Sequence, residues 1–309
     1  MNAIASSVIN GLLSVKPLAR FAKNRARTMM MDRAEGLGVY WRDEVKTLQE
    51  RPGWEDDLKA IANPNITYPS YYTTSFHAYD EGNLGWLPAM EVDVAARAVH
   101  ARIWPEDDPR GGINGDASLR ESYHQVLKQT LPTAPQSIID LGCGAGRSTV
   151  TLQETFSEAQ LTGVDLSPYF VTVAQHMAGQ MSASEGHQIQ WIHAPAEETG
   201  LSANTADLVS VCLVFHELPQ SAAEAIIAEA YRLLKPGGHF AIMDMNPQCE
   251  TFTKMPPYIL TLLKSTEPYL DQYFALDMNA AFQVAGFAQP AIVANSPRHR
   301  SIVGQKPIA

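Results

Sequence analysis

The chain is poor in cysteine. Across 309 residues it has three, Cys143, Cys212 and Cys249, too few and too widely spaced for a disulfide framework or a CxxC metal site. No metal is expected, and a reducing, cytoplasmic setting is the simplest reading. Long apolar runs are missing too. The first candidate is broken by Asn10, Lys16 and Pro17, well short of the roughly 18 consecutive apolar residues of a membrane-spanning helix. There is no excess of positive charge: 23 basic against 33 acidic residues give a formal net charge of −10, which argues against binding nucleic acid through a general basic surface. Repeats and low-complexity tracts are also lacking. What is there, 45% hydrophobic and 18% charged residues, is the composition of a folded globular protein, at about twice the usual length of one domain.

The charge is uneven. Residues 1–31 hold Lys16, Arg20, Lys23, Arg25 and Arg27 and no acid, so this arm carries +5, and the 18 basic and 33 acidic residues that follow leave the body at −15. Ile4, Val8, Leu12 and Leu13 recur at helical spacing, with Leu18, Phe21 and Ala22 beyond Pro17. Such a basic amphipathic arm suits peripheral contact with an anionic membrane surface. The same pattern also fits a helix packed on the body, or an acid-poor organelle transit peptide.

Residues 32–117 read as a mostly helical, aromatic-rich extension. Trp41 and Trp54 are candidate core anchors, and Ala89, Val92, Ala96 and Val99 predict a helix over about 88–103. Between them Tyr68, Tyr71, Tyr72, Phe76, His77, Tyr79 and Trp86 crowd together among Pro69, Gly82, Gly85 and Pro88. Residues 105–115, with two prolines, three glycines and three acids, read as a linker.

From residue 118 the pattern becomes regular. Asp116 or Ser118 could cap a helix through Leu131. Apolar runs at Ser137–Leu141, Leu161–Val164, Ile189–Ile192, Leu208–Val214 and His239–Met243 then alternate with helical segments, which implies parallel strands with both sheet faces covered. Ser167 before Pro168 marks a helix start, and Ser221 with Glu224 a capping box. Pro236, Gly237 and Gly238 would end that second helix. Asp277 would cap a helix finishing at Gly286, and strands near Ala291–Ala294 and His299–Gly304 close the unit. The expected fold is α/β: a Rossmann-like, seven-stranded, mostly parallel sheet with helices on both faces over residues 118–309, plus the mostly helical N-terminal extension.

The chemistry sits in Ser137-Ile-Ile-Asp140-Leu-Gly142-Cys143-Gly144-Ala-Gly146-Arg147. A buried strand ends in an acid, and three glycines turn the chain into a helix whose first N–H groups and dipole favour an anionic group. A dinucleotide fingerprint would read GxGxxG. Here the glycines fall as GxGxG with Arg147 in the sixth place, which disfavours an NAD(P)-dependent oxidoreductase. Asp140 sits badly beside a pyrophosphate and well beside a cation. A ligand carrying both a sulfonium and an ammonium group, S-adenosyl-L-methionine, fits both features.

On these residues the chain resembles the class I S-adenosylmethionine-dependent methyltransferases, in the small-molecule group, over roughly residues 118–306. The resemblance implies that Asp140, Gly142, Cys143, Gly144 and Gly146 cradle the methionine end of the cofactor. It implies that Asp165, in Gly163-Val-Asp165-Leu-Ser-Pro168, takes the ribose hydroxyls, a task suited to a carboxylate, with Leu166 beside the adenine. Ala196, Glu197 and Leu213 are the remaining cofactor candidates. Where members often place an Asp for the adenine amino group this chain has Pro195, so Glu197, Glu198 or a backbone carbonyl must supply that contact. A third reading is a catalytically silent member of the fold that binds a lipid or partner protein.

In an open parallel sheet ligands lie beyond the carboxyl ends of the strands. His216 and Glu217, in the loop after the fourth strand, are therefore the candidate catalytic residues, with His216 as a base for an oxygen or activated-carbon nucleophile; both could equally serve as loop hydrogen-bonding groups. The signature of amino-group methylation, Asn or Asp followed by Pro, Pro and an aromatic, is absent. Two added segments could select the acceptor: the aromatic stretch with Tyr72, His77 and Tyr79, and an insertion over 246–276 with Tyr258 and Tyr273. Both are rich in flat apolar surface, which suits a small hydrophobic or aromatic acceptor, isoprenoid or quinone-like.

Overall fold

The computed structural model describes residues 16–74, 79, 82–181 and 189–308. Seven strands form one sheet: β1 Ser137–Leu141, β2 Gln160–Asp165, β3 Gln190–His193, β4 Ala206–Cys212, β5 Leu234–Met245, β6 Ala291–Ala294 and β7 His299–Gln305. Their order is β3-β2-β1-β4-β5-β7-β6. The first five are parallel, and β7 runs against both β5 and β6, so the sheet is mixed but mostly parallel. Chain direction out of β1 switches from β2 on one side to β4 on the other, and that crevice is where an open α/β sheet accommodates ligands.

Helices cover both faces. On one side α5 (Gly115–Thr130) and α6 (Arg147–Thr155) are joined to the sheet by a core of Leu119, Tyr123, Leu127, Leu152 and Phe156 against Ile138, Leu208 and Met243. On the other, α8 (Gln220–Leu233), α11 (Leu270–Ala275) and α12 (Met278–Ala285) bury Ile226, Tyr273 and Phe282 against Phe240 and Ile242. Further along, α7 (Pro168–Met181) presents Phe170 and Val173 to a third core. That core belongs to the extension: α1 (Lys16–Gly36), α2 (Trp41–Gln49), α3 (Trp54–Ile61) and α4 (Trp86–His100) bury Ala34, Trp41, Trp54, Met90 and Val94 on it.

The arm is settled in part. α1 runs without a break through residues 31 and 32, where the charge pattern changes. Arg27 forms an ion pair with Glu91 of α4, a side chain only 2% exposed that also accepts from Trp41 Nε1 at 3.2 Å and from the Tyr79 hydroxyl. A buried carboxylate needs such partners, and they fasten this part of the arm to the body. Residues 1–15 lie outside those described.

Several local expectations are corrected. Asp116 does not cap α5; its carboxylate is spent on Arg120 and His100. Ser221 is not a cap either, because α8 begins one residue earlier behind Pro219. Pro236, Gly237 and Gly238 lie inside β5, at an irregular register with β4, since Gly237 pairs with Lys306 across the sheet. Asp277 does cap its helix, accepting from the Ala280 N–H. Ser167 accepts from the Phe170 N–H at the start of α7 and donates to the Asn83 carbonyl of the extension.

Candidate active site

The first half of the site forms where β1 and β2 end. Gly142 and Cys143 donate their backbone N–H groups to the Val164 carbonyl, which draws the glycine turn onto β2. All three glycines of the turn have positive φ, 70°, 54° and 84°, where a Cβ is strained. Their surroundings differ. A Cβ on Gly142 would strike Val214, and one on Gly146 would strike Trp191 and Ala174, whereas one on Gly144 would meet nothing within 4 Å. Gly142 and Gly146 are thus required by packing, and Gly144 lines open space where a ligand can approach the backbone.

Asp140 is fully buried. Its Oδ2 accepts from Ser148 and Thr149 at the start of α6, both at 2.7 Å, while Oδ1 has no hydrogen-bond partner. Burial pushes its carboxyl up to about 6, against the two hydroxyls that favour ionisation. Asp165 is in the same condition. It accepts from the Gly144 N–H at 2.9 Å and the Ser167 N–H at 2.8 Å, yet burial still lifts it to about 6. Two desolvated carboxylates with raised pKa favour a ligand that brings positive charge or hydrogen-bond donors.

The extension reaches this half directly. Burial, and after it the neighbouring Asp165 carboxylate, holds the Tyr72 phenol pKa high, and the Tyr71 hydroxyl donates to Glu197. His193, at the end of β3, accepts from the Asn63 N–H at Nδ1, 2.9 Å away, which leaves the proton on Nε2, 3.0 Å from the Leu166 carbonyl. Burial keeps this imidazole below its ordinary pKa. Ala196 packs against the sheet core, and Leu166 is buried. Arg147, after the turn, is bound by Asp93 of α4 at 2.7 and 3.0 Å, so extension and glycine turn are tied by charge as well.

The second half lies beyond β4 and β5. Leu213 has φ 60°, a conformation uncommon for a side chain with a Cβ and often found at functional sites. The kink feeds a short 3₁₀ turn, Phe215–Glu217, that lays His216 over the end of β5. There His216 Nδ1 lies 2.8 Å from Asp244 Oδ1, and its backbone N–H also reaches Asp244. Asp244 is completely buried. Burial alone would lower the imidazole pKa, but Asp244 reverses the sign and, with Glu267 and Glu217, lifts it to about 10. Asp244 is correspondingly held below the usual carboxylate range by the imidazolium, in spite of its burial. Glu217 lies 3.9 Å from the outer nitrogen, Nε2.

Tyr273 walls this half from α11. It is buried, its hydroxyl donates to the Met245 carbonyl at 2.7 Å, and Arg300 stands over its ring. Of the other acceptor candidates, Tyr258 is exposed on α10 (Pro257–Thr266), Tyr79 is engaged by Glu91 within the extension, Tyr72 stands in the first half, and His77 lies outside the described residues. Among the described residues no group of three or more His, Cys, Asp or Glu could hold a metal ion.

Sequence reasoning missed Asp244 and Arg120. Asp244 ends its apolar strand as Asp140 and Asp165 end theirs, so the same signal marks it. Arg120 has no such mark: it is one arginine of an ordinary helix. Its Nε and one amino group are held by buried Asp116, the other amino group is 3.6 Å from Cys212 Sγ, and its charge reaches Asp140. It is a buried cation beside the end of β4, paired with Asp116.

A family model described as a methyltransferase domain matches residues 138–238. The chain is 30% identical over 168 residues to an uncharacterized methyltransferase of Synechocystis sp., covering 54% of this chain and 74% of that one. It is 30% identical over 188 residues to a ubiquinone biosynthesis O-methyltransferase of Xanthomonas oryzae pv. oryzae, covering 59% and 73%. Among solved structures, one from Galdieria sulphuraria bearing the name sarcosine dimethylglycine methyltransferase superposes with a TM-score of 0.50 at 15% identity, over 68% of this chain and 93% of that one.

Proposed function

The chain belongs to the class I S-adenosylmethionine-dependent methyltransferases, and on that premise we propose that it methylates an acidic oxygen, or the activated carbon next to one, on a small, apolar, quinone-like or phenolic acceptor. S-adenosylmethionine is its cofactor, and when bound it supplies a methyl group on a positively charged sulfur. The residues present fit it. Open space at Gly144, the unpartnered Oδ1 of buried Asp140 and the raised pKa of Asp140 and Asp165 all favour a ligand with two cationic groups and a hydroxyl-bearing sugar. Asp140 and the glycine turn would hold the methionine end, with Arg120 at its carboxylate, and Asp165 the ribose.

The observation that carries the acceptor assignment is the buried His216–Asp244 pair. Displacement at carbon depends on alignment of nucleophile and leaving group, and an oxygen nucleophile reacts as its anion. With a pKa near 10, His216 holds a proton at neutral pH. Its Nε2–H is then a charged donor that stabilises an acceptor oxyanion, while Asp244 orients the ring and balances its charge. Acceptors whose hydroxyl is acidic, such as phenols and hydroxyquinones, suit this arrangement better than simple alcohols. The wall of Tyr273 and the apolar insertion around α10 and α11 suits a flat, hydrophobic ring.

The relatives support this reading by kind, one of them being named for ubiquinone biosynthesis. A native small-molecule extract supplied with methyl-labelled cofactor tests it: label should appear in a lipophilic phenol or hydroxyquinone. Label found only in amines or water-soluble acids would sink it. A lipophilic acceptor would partition into membranes, and the +5 arm suits an anionic surface there. No helix among the described residues is long and apolar enough to cross a bilayer, and sedimentation of the full chain with anionic liposomes at low salt measures any contact with the surface.

A further inference from the structure

Two arginines are buried among the described residues, Arg120 at 7% exposed and Arg300 at 8%, and their charges are met differently. Arg120 is paired with Asp116 at 2.9 Å. Arg300, the second residue of β7, has no ion pair or hydrogen bond to a described residue, and its Nε is buried without a partner. Its guanidinium carbon stands instead 5.9 Å from the centre of the Tyr273 ring, the wall of the second half of the site. Strand register gives the reason. β7 sets Arg300 opposite Asp244 on β5 and Ala294 on β6, so the acid beside it across the sheet is Asp244. That carboxylate is already spent. It accepts from His216 Nδ1 at 2.8 Å, from the His216 N–H at 3.2 Å and from the Met245 N–H at 2.6 Å, and it forms no ion pair with Arg300.

A buried cation without a counter-charge is costly, and a ligand that brings an anion relieves it. A guanidinium is planar and offers paired N–H donors, which match a carboxylate. We propose that Arg300 receives a carboxylate carried by the acceptor, so that the molecule methylated is a phenol with an acid group on the same ring. The two cations of this half flank one residue: His216 is bonded to Asp244, and Arg300 lies across the strand pair from it. One ring can therefore set its hydroxyl oxygen at the outer nitrogen of His216 and its carboxylate at Arg300, beside Tyr273. Glu217 and Glu267 both act on His216, which disfavours the stronger acid at that end and leaves it to Arg300. Two anchors fix the ring in the plane, and displacement at carbon depends on that alignment. The inference rests on the acceptor reading given above, which it narrows to phenolic acids.

The product of the wild-type chain gives the first test. In a native extract supplied with methyl-labelled cofactor, the labelled product should be a lipophilic aryl ether that still carries its acid and loses carbon dioxide on fragmentation in the mass spectrometer. A labelled lipophilic ether with no acid group would overturn the inference and leave the acceptor reading standing, whereas label confined to amines would remove that reading itself. A pair of probes gives the second test. By calorimetry, the chain saturated with S-adenosylhomocysteine should bind 4-hydroxybenzoate at least about tenfold more tightly than its methyl ester, which keeps the ring and loses the charge, as expected for a charge-assisted pair. Arg300→Met should abolish that preference with ester binding and cofactor affinity unchanged. Arg300→Lys should recover part of it, because lysine keeps the charge and lacks the planar fork. A preference that survives Arg300→Met, or its absence in the wild-type chain, would overturn the assignment.

Discussion

The two halves of the cleft treat buried carboxylates in opposite ways. Where β1 and β2 end, Asp140 and Asp165 are desolvated, hydrogen-bonded only by neutral donors, and raised to about 6 even with Arg120 acting on Asp140 from a distance. Where β5 ends, Asp244 is buried as deeply but has a cation built against it, His216, and is held low. Burying a charge without a counter-charge is costly. The first half leaves that cost in place, so a cationic ligand is drawn in by relieving it. The second half cancels it internally, and what it offers outward is a proton on His216. On the proposed function, the first half would receive the sulfonium and the proton on His216 would face the acceptor oxygen.

The comparison breaks most readily at His216. His216→Ala should lower turnover by about 10²- to 10³-fold, in the range for positioned proton-handling groups, with cofactor affinity within about twofold by the scale of additivity between distant sites. A fully active variant would reduce the pair to a structural role. At the other half, Asp165→Ala should weaken cofactor binding at least about tenfold, the worth of a charge-assisted contact, and unchanged affinity in calorimetry would remove the ribose assignment.

Acidity should separate the halves as well. Both carboxylates of the first half have folded pKa values raised to about 6, so below that pH the protonated form prevails and a ligand preferring carboxylate is bound less well. Cofactor affinity should therefore fall about tenfold between pH 7.5 and pH 5 by linkage to one such group, and further if both respond. At saturating cofactor, turnover should instead be lost as pH rises through about 10, where His216 gives up its proton. A neutral-base role would place the limb on the acid side, near the reference value of about 6.5. The stability contributed by the raised His216 runs the same way, present below the unfolded value and lost on passing the folded one. The smallest effect belongs outside both halves: Arg27→Ala should cost about 1–3 kcal/mol in denaturant unfolding by depriving buried Glu91 of its cation, with cofactor affinity unchanged.

How far each half could be read beforehand follows from where its residues lie in the chain. Asp140, the glycine turn and Asp165 fall within one strand-turn-helix-strand unit, and each declares itself locally: an apolar run ending in an acid, glycines at positive φ, a capped helix start. His216 was visible by the same logic, since it follows an apolar strand. Its partner Asp244, however, comes from β5, 28 residues on, and the charge state of the pair depends on burial that no local pattern reports. Tyr72 appeared as an acceptor residue because aromatic crowding says only that a surface is flat and apolar. That it stands beside Asp165 depends on how α3 and α4 dock on α7. Pro236, Gly237 and Gly238 misled for a similar reason, as cross-strand pairing with Lys306 drew them into β5.

By itself the sequence determined the doubly wound sheet, the glycine turn and the two strand-end acids, because strand periodicity, glycine dihedrals and helix starts are set by residues within a few positions of one another. Only the tertiary structure decided that Asp244 charges His216, that Arg120 sits beside Cys212, and that Tyr71 of the extension donates to Glu197. Those features depend on desolvation and on contacts between residues far apart in the chain, and both quantities come into being only when the elements pack.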